Sequence, residues 1–382
     1  MKTCIALIAL ATSALAVHAQ DGAIPMTADY WEADTARVAF TTHRGVSAAR
    51  ARNGAAQLAL KDVVFSSGTI AFDVEVADPG FVGINFRQSE SRSESEYFYI
   101  RAFWPVSPLS RTTLQYATIV DGVNLWDVTD EYQATATLRR EGWNRVKLVV
   151  SGRQMRVYVN DMERPALHVP ILEGAIESGG LSLDGNAIFA NVVVQPGATE
   201  DLPSVPGYDP TLNDSRYLRD WQVTSPVALP RGRDLVFNAP NMTGGDLPSD
   251  LPSDQTTWTP IQAEHRAFVN LSRPFGMTPR GQRRLVWVKT TLVSETAQQR
   301  RLDLGFSDEV WVFINGQFLH RDTNYYATPG MKEPRGRATL DNASIVLPLT
   351  EGENELMIGI ANYFFGWGLV ARLDTTEGLL AE

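Results

Sequence analysis

The residues best placed to do chemistry in this sequence are aromatic rings interleaved with arginine and glutamate. Tyr97, Tyr99 and Arg101 alternate along one short run, with Glu96 beside them and Arg87, Trp104, Tyr116 and Trp126 nearby in the chain. A pyranose presents an apolar face that packs on a flat ring, and hydroxyls at its edge that planar polar groups catch. This mixture therefore suits sugar binding. A second set follows His320, namely Arg321, Asn324, Tyr325 and Tyr326, and a third runs Tyr363-Phe364-Phe365-Gly366-Trp367-Gly368. Two aromatic loops so close suit either a binding rim or an interface with another domain, because an aromatic-rich patch must be covered by something. Any single ring among these can equally be core.

Carboxylates offer a different chemistry. Asp73, Glu75 and Asp78 lie in one strand-like run. Residues two apart on a strand have Cα atoms about 6.6 Å apart, whereas a retaining glycosidase needs carboxyl groups about 5 to 5.5 Å apart. A solvated outer face accounts for them better than catalysis does. There is no Gly-x-Ser-x-Gly elbow, no His-Glu-x-x-His and no phosphate loop. His43, His168, His265 and His320 are scattered singly, so no metal centre and no cofactor is expected. Calcium held by loop groups such as Asp184 or Asp308 would be chemically reasonable, but no ligand spacing marks it.

The elements that must position these groups read as strands throughout. In Thr69-Ile70-Ala71-Phe72-Asp73-Val74-Glu75-Val76 the apolar side chains recur at 70, 72, 74 and 76, one face of a strand. Residues 145–150 and 154–160 flank Ser151-Gly152-Arg153 as a hairpin with Met155, Val157 and Val159 inward. On strand 97–101 the same alternation puts Tyr97, Tyr99 and Arg101 on one face, expected to be open to solvent, with Phe98 and Ile100 turned into the core. After 196 comes a stretch dense in proline, glycine and acid, read as an extended spacer. Further strand-like runs follow, among them Val310-Trp311-Val312-Phe313-Ile314, apolar on both faces, and the tight-turn pair Asn315-Gly316. Residues 240–256, with a near-repeat of Asp-Leu-Pro-Ser, read as a surface loop. The fold class expected is all-β, two tandem β-sandwich (jelly-roll) domains.

Length and composition agree. At 382 residues, 44% apolar and 20% charged, the chain suits two globular domains. A net charge of −10 argues against general nucleic-acid binding, which needs a basic stripe to release counterions. The N-terminus has a short positive start, an apolar run from Cys4 to Val17, and Val17-His18-Ala19. That pattern predicts a signal peptide over 1–19 and an exported chain, periplasmic or secreted, beginning at Gln20. The run is too short to span a membrane, and nothing later resembles one, so no membrane insertion is expected. Cys4, the only cysteine, leaves with the signal.

Two segments carry a resemblance. Residues 68–75, then Gly80-Phe81-Val82-Gly83-Ile84-Asn85-Phe86-Arg87, then 96–101, with Gly142-Trp143-Asn144-Arg145-Val146-Lys147 and Val157-Tyr158-Val159-Asn160, resemble the concanavalin A-like jelly rolls of the laminin-G and keto-disaccharide-hydrolase groups. Residues 304–316, ending Ile314-Asn315-Gly316, together with Gly352-Glu353-Asn354-Glu355-Leu356, resemble galactose-binding-like jelly rolls. The resemblance implies a first sandwich over 30–196, a linker over 197–215 and a second sandwich over 216–376. The laminarinase-type relatives of the first carry Glu-x-Asp-x-x-Glu, where this strand reads Asp-x-Glu-x-x-Asp. Three readings stay open: a lectin-like glycan binder with no catalytic site, a glycoside hydrolase built on the first sandwich, or a surface assembly protein that binds other proteins. The candidate sugar-binding residues are Arg87, Glu96, Tyr97, Tyr99, Arg101, Trp104, Tyr116, Trp126, Arg321, Asn324, Tyr325 and Trp367.

Overall fold

Period-two alternation builds the first sandwich. A computed structural model describes residues 22–52, 57–76, 78–128, 131–229 and 251–380; the expected signal segment 1–19 lies outside them, as does most of the 240–256 loop. One sheet runs in the order Trp31–Ala33, Gln57–Leu60, Gly180–Gly185, Gly80–Gln88, Ser95–Ala102, Leu114–Val120, Gln133–Ala134. The facing sheet runs Leu167–Val169, Gln154–Val159, Asn144–Ser151, Gly68–Glu75, Ile188–Pro196, Val46–Ala51, Val38–His43. All pairings are antiparallel. Ile70, Phe72, Val74 and Val76 meet Met155, Val157, Val159, Phe98 and Ile100 in one core between the sheets. Burying such side chains is the main stabilising term for a sandwich.

The second sandwich places Thr259–Gln262, Asp220–Val223, Arg284–Ser294, Gly352–Asn362, Asp308–Ile314 and Gln317–Asn324 in one sheet. Phe268–Asn270, Gly368–Leu373, Gln298–Phe306 and Ala343–Leu349 form the other. Val310, Val312 and Ile314 face the inter-sheet core. Trp311 and Phe313 point the other way, into a cluster with Leu229, Leu285 and Trp287, over which Leu251 and Trp258 pack. That covering explains a strand apolar on both faces. Asn315 and Gly316 both take positive φ, 49° and 76°, the geometry a two-residue hairpin turn requires. The protein is thus all-β, with two tandem sandwiches and only a single short turn of α-helix, Ser272–Phe275, among the described residues.

The stretch after 196 does not stand free of the sandwiches. Leu202 is buried against Val149 and Tyr158, Arg153 N donates to Ser204 O, and Gly207 N donates to Pro170 O. Gly152, at φ 50°, sits so close beneath this strap that a Cβ there would lie 2.0 Å from Ser204 O. Leucine and backbone groups, not the prolines, anchor it. The two sandwiches also dock directly. Val120, Val123, Leu125 and Val128 of the first share an apolar cluster with Ala267, Phe268, Ala338 and Val370 of the second. Arg266 reaches across to Glu131 at 2.7 Å and to Glu173 at 3.4 Å.

Candidate functional site: a cavity between the sandwiches

Strand Ser95–Ala102 presents Tyr97, Tyr99 and Arg101 on the face away from the core. Gly83, paired opposite Tyr99, carries no side chain there and leaves room for the rings. Tyr97 and Tyr99 stack at 4.8 Å and 22°, and the Arg101 guanidinium lies 5.4 Å from the Tyr99 ring and 5.8 Å from that of Trp126. The alternation holds, but the expected exposure does not: Tyr97 is 7% and Tyr99 3% exposed. The second sandwich and the rings' own stacking cover this face, so it is the floor of a cavity and not an open groove.

The roof comes from two loops of the second sandwich. Tyr326 and Phe364 stack in parallel at 5.6 Å and 4°, and Tyr326 meets the edge of Trp126 at 5.1 Å. Phe365 approaches the same indole at 5.9 Å, and the Arg337 guanidinium lies 5.0 Å from it. At the mouth Phe81 and Phe103 meet edge to face at 5.1 Å. The cavity, open at its mouth, has a volume of about 840 Å³ and is lined further by Ser107, Ser110, Thr112, Asn124 and Arg335. Hence the aromatic loops serve as rim and as interface at once.

Buried polar groups hold these loops in place. Asp127 Oδ1 accepts the Gly366 N–H at 3.0 Å, and its carbonyl accepts the Ala338 N–H. Burial pushes the Asp127 carboxyl up to about 7. Asp308 accepts the backbone N–H of Phe364 at 2.9 Å as well as that of Tyr363, and burial raises it well above the usual carboxylate range. Asn324 Nδ2 donates to Phe306 O at 3.1 Å and to the Arg337 carbonyl at 3.2 Å.

Tyr326, Phe364 and Phe365 of the two aromatic loops line the cavity, and of the twelve candidate sugar-binding residues so do Tyr97, Tyr99, Arg101 and Trp126. The others do not. Residue 96 shares a face with Phe98, so Glu96 enters the core, where it accepts Tyr116 OH at 2.6 Å and Gly174 N at 3.1 Å; burial raises it to about 7. Arg87 donates to Ser66 O and to Gly152 O, both at 2.6 Å. Trp104 Nε1 donates to Val76 O at 3.1 Å and packs against the first core. Arg321 and Tyr325 both bind the buried Glu309, each at 2.7 Å. Asn324 supports Arg337 from behind. Trp367 has no exposure at all and belongs to the second core, because its loop turns at Phe365, φ 52°.

Phe81, Phe103, Arg335 and Arg337 were not among the candidates. Alternation was the available signal for Phe81, since Val82 and Ile84 are core and put 81 on the Tyr99 face. The same alternation marks Phe103, one step past the core residue Ala102, but no local pattern marks the two arginines, which reach the cavity only through tertiary packing. The carboxylates of the 68–75 strand lie on the other sheet and face away from the core. Asp73 is held by Asn191 Nδ2 at 2.7 Å and Arg145 at 3.3 Å. Glu75 is held by Arg44 at 2.7 Å and His43 at 3.0 Å, hydrogen bonds that pull its carboxyl down to about 2. Among the described residues the cavity lining contains no aspartate or glutamate. Asp184 accepts Tyr97 OH at 3.1 Å, and no group of three or more metal-ligating side chains is gathered among the described residues.

No protein-family model matches this chain, and no curated protein is significantly similar to it in sequence. Solved structures similar to it include a carbohydrate-binding module, CBM66, from Bacillus subtilis, 13% identical with a TM-score of 0.32 over 44% of this chain and 92% of that one. A putative glycosyl hydrolase from Parabacteroides distasonis is 11% identical, with a TM-score of 0.33 over 44% of this chain and 94% of that one. A β-glucanase from Bacillus licheniformis is 9% identical, with a TM-score of 0.30 over 46% of this chain and 87% of that one. Each likeness extends over less than half of this chain, and none bears on the cavity, which needs both sandwiches.

Proposed function

We propose that this protein binds a glycan in the cavity between its sandwiches, and that it does so as a binding protein. The carrying observation is the placement of exposed aromatic rings. Seven are exposed among the described residues: Tyr30, Phe81, Phe103, Tyr208, Tyr326, Tyr363 and Phe365. Four of these, Phe81, Phe103, Tyr326 and Phe365, line this cavity. Exposed rings concentrated at one concave place are what stacking on sugar faces requires. The described lining has no carboxylate and so supplies neither a general acid nor a nucleophile of the usual glycosidase kind, which favours binding over hydrolysis. The N-terminal pattern supports export, with the mature chain starting at Gln20. Intact-mass measurement on the exported protein checks this; a retained Met1 would refute it.

The test of binding is Tyr326→Ala. Its ring is 41% exposed, so truncation should cost little stability while removing a stacking platform worth about tenfold in affinity. Glycan-array screening of the wild type, followed by titration of hits against both proteins, reads the result. Hits that bind the variant unchanged would place the sugar elsewhere.

A further inference from the structure

We infer that the glycan taken by this cavity is acidic, a saccharide carrying carboxylate or sulfate groups, with Arg101 and Arg335 as the groups that grip the charge. This inference rests on the glycan reading above. The chain as a whole carries a net charge of −10, yet among the described residues the cavity lining holds three arginines and no acid. Several other arginines are paired with carboxylates: Arg266 with Glu131, Arg273 with Glu264, and, within the second sandwich, Arg283 and Arg321 with Glu309. Arg101 is not. Its donors reach only neutral oxygens at long distance, Tyr99 OH at 3.2 Å and Thr112 O at 3.4 Å. The Arg335 side chain is exposed and makes no ion pair among the described residues.

Deeper in, Arg337 is 2% exposed, held over Trp126 and close to the buried Asp127. A cation placed where water is scarce attracts an anion more strongly than one in bulk solvent. The planar guanidinium fork also matches the oxygens of a carboxylate or a sulfate. The aromatic rings would take the sugar faces while the arginines take the charged substituents. Nothing in the lining offers the acceptors-only edge that would favour a cationic or amino sugar.

Titration calorimetry of the full mature protein against matched pairs tests this. One arm compares an oligogalacturonide with its methyl ester, and the other a sulfated galactan oligosaccharide with its desulfated form. At least one acidic member should bind about tenfold tighter or more than its neutral partner, and added salt should weaken only the acidic one. Arg335→Gln, a surface change with little effect on folding, should remove most of that preference; Arg101→Gln should remove more. The arm that binds tells carboxylate from sulfate. Equal binding of acidic and neutral members, still weakened by Tyr326→Ala, overturns the charge inference and leaves the glycan reading standing. If no saccharide of either kind binds, and a glycan array is blank, both fall.

Discussion

Replacing Tyr99 by alanine should destabilise the protein by about 3–5 kcal/mol, the cost of truncating a large buried aromatic. The ring is 3% exposed, stacked on Tyr97, met edge-on by Phe81 at 5.8 Å and covered by Arg101. Removing it extends the cavity floor downward, because the paired position across the strand, Gly83, has no side chain to move in. Tyr99→Phe keeps the packing and loses only the hydrogen bond from Arg101, so it should cost about 1 kcal/mol. Denaturant unfolding of the three proteins measures both. A Tyr99→Ala loss under about 1 kcal/mol would mean that the second sandwich does not cover this face.

Stability should also fall as the pH rises from about 5 to about 8. Glu96 and Asp127 are both buried, and burial raises them from 4.5 and 3.8 respectively to about 7. Between these values each of these two carboxyls keeps in the fold a proton that the unfolded chain has released, and the buried Asp308 acts in the same direction. Unfolding then sheds protons, so the free energy of unfolding decreases with pH until both groups ionise in the fold. Each contributes on the order of a few kcal/mol across that window. Glu96 faces Tyr116, Arg87 and Glu173, and Asp127 faces the Gly366 N–H and Arg337, so neither has a partner strong enough to cancel the cost of burial. Glu75 works in the opposite direction. Its carboxyl is pulled from 4.5 to about 2, so its contribution is present above about 4.5 and is lost as the pH drops toward 2. Urea unfolding at pH 5 and pH 8 should show the higher midpoint at pH 5. Glu96→Gln and Asp127→Asn should each flatten the difference, and a midpoint that rises with pH would refute the account.

The strand pattern carried most of the architecture. Side chains at 70, 72, 74 and 76, and at 98 and 100, recur with a period of two, and the inner face of each strand in a two-layer sandwich must be dry. The same rule assigned Tyr97, Tyr99 and Arg101 to a common face. It also shows why Glu96 was misplaced: proximity in sequence suggested the groove, but parity with Phe98 sends it inward. Arg87 and Trp104 are comparable, drawn to backbone carbonyls at Ser66 and Val76 that no local pattern reveals.

By itself, then, the sequence determined the all-β class and which side of each strand meets the core, since both follow from a two-residue period and need no distant contact. It could not determine what lies on the other side. Whether a strand's outer face meets water or another domain depends on contacts such as Asp127 to Gly366, 239 residues apart in the chain. That docking turned a stack of tyrosines into the floor of a cavity. It also brought Tyr326, Phe364, Arg335 and Arg337 over them, while leaving Trp367, two residues from Phe365, in a core. Tertiary structure alone decided the site, because the cavity exists only where the two sandwiches meet.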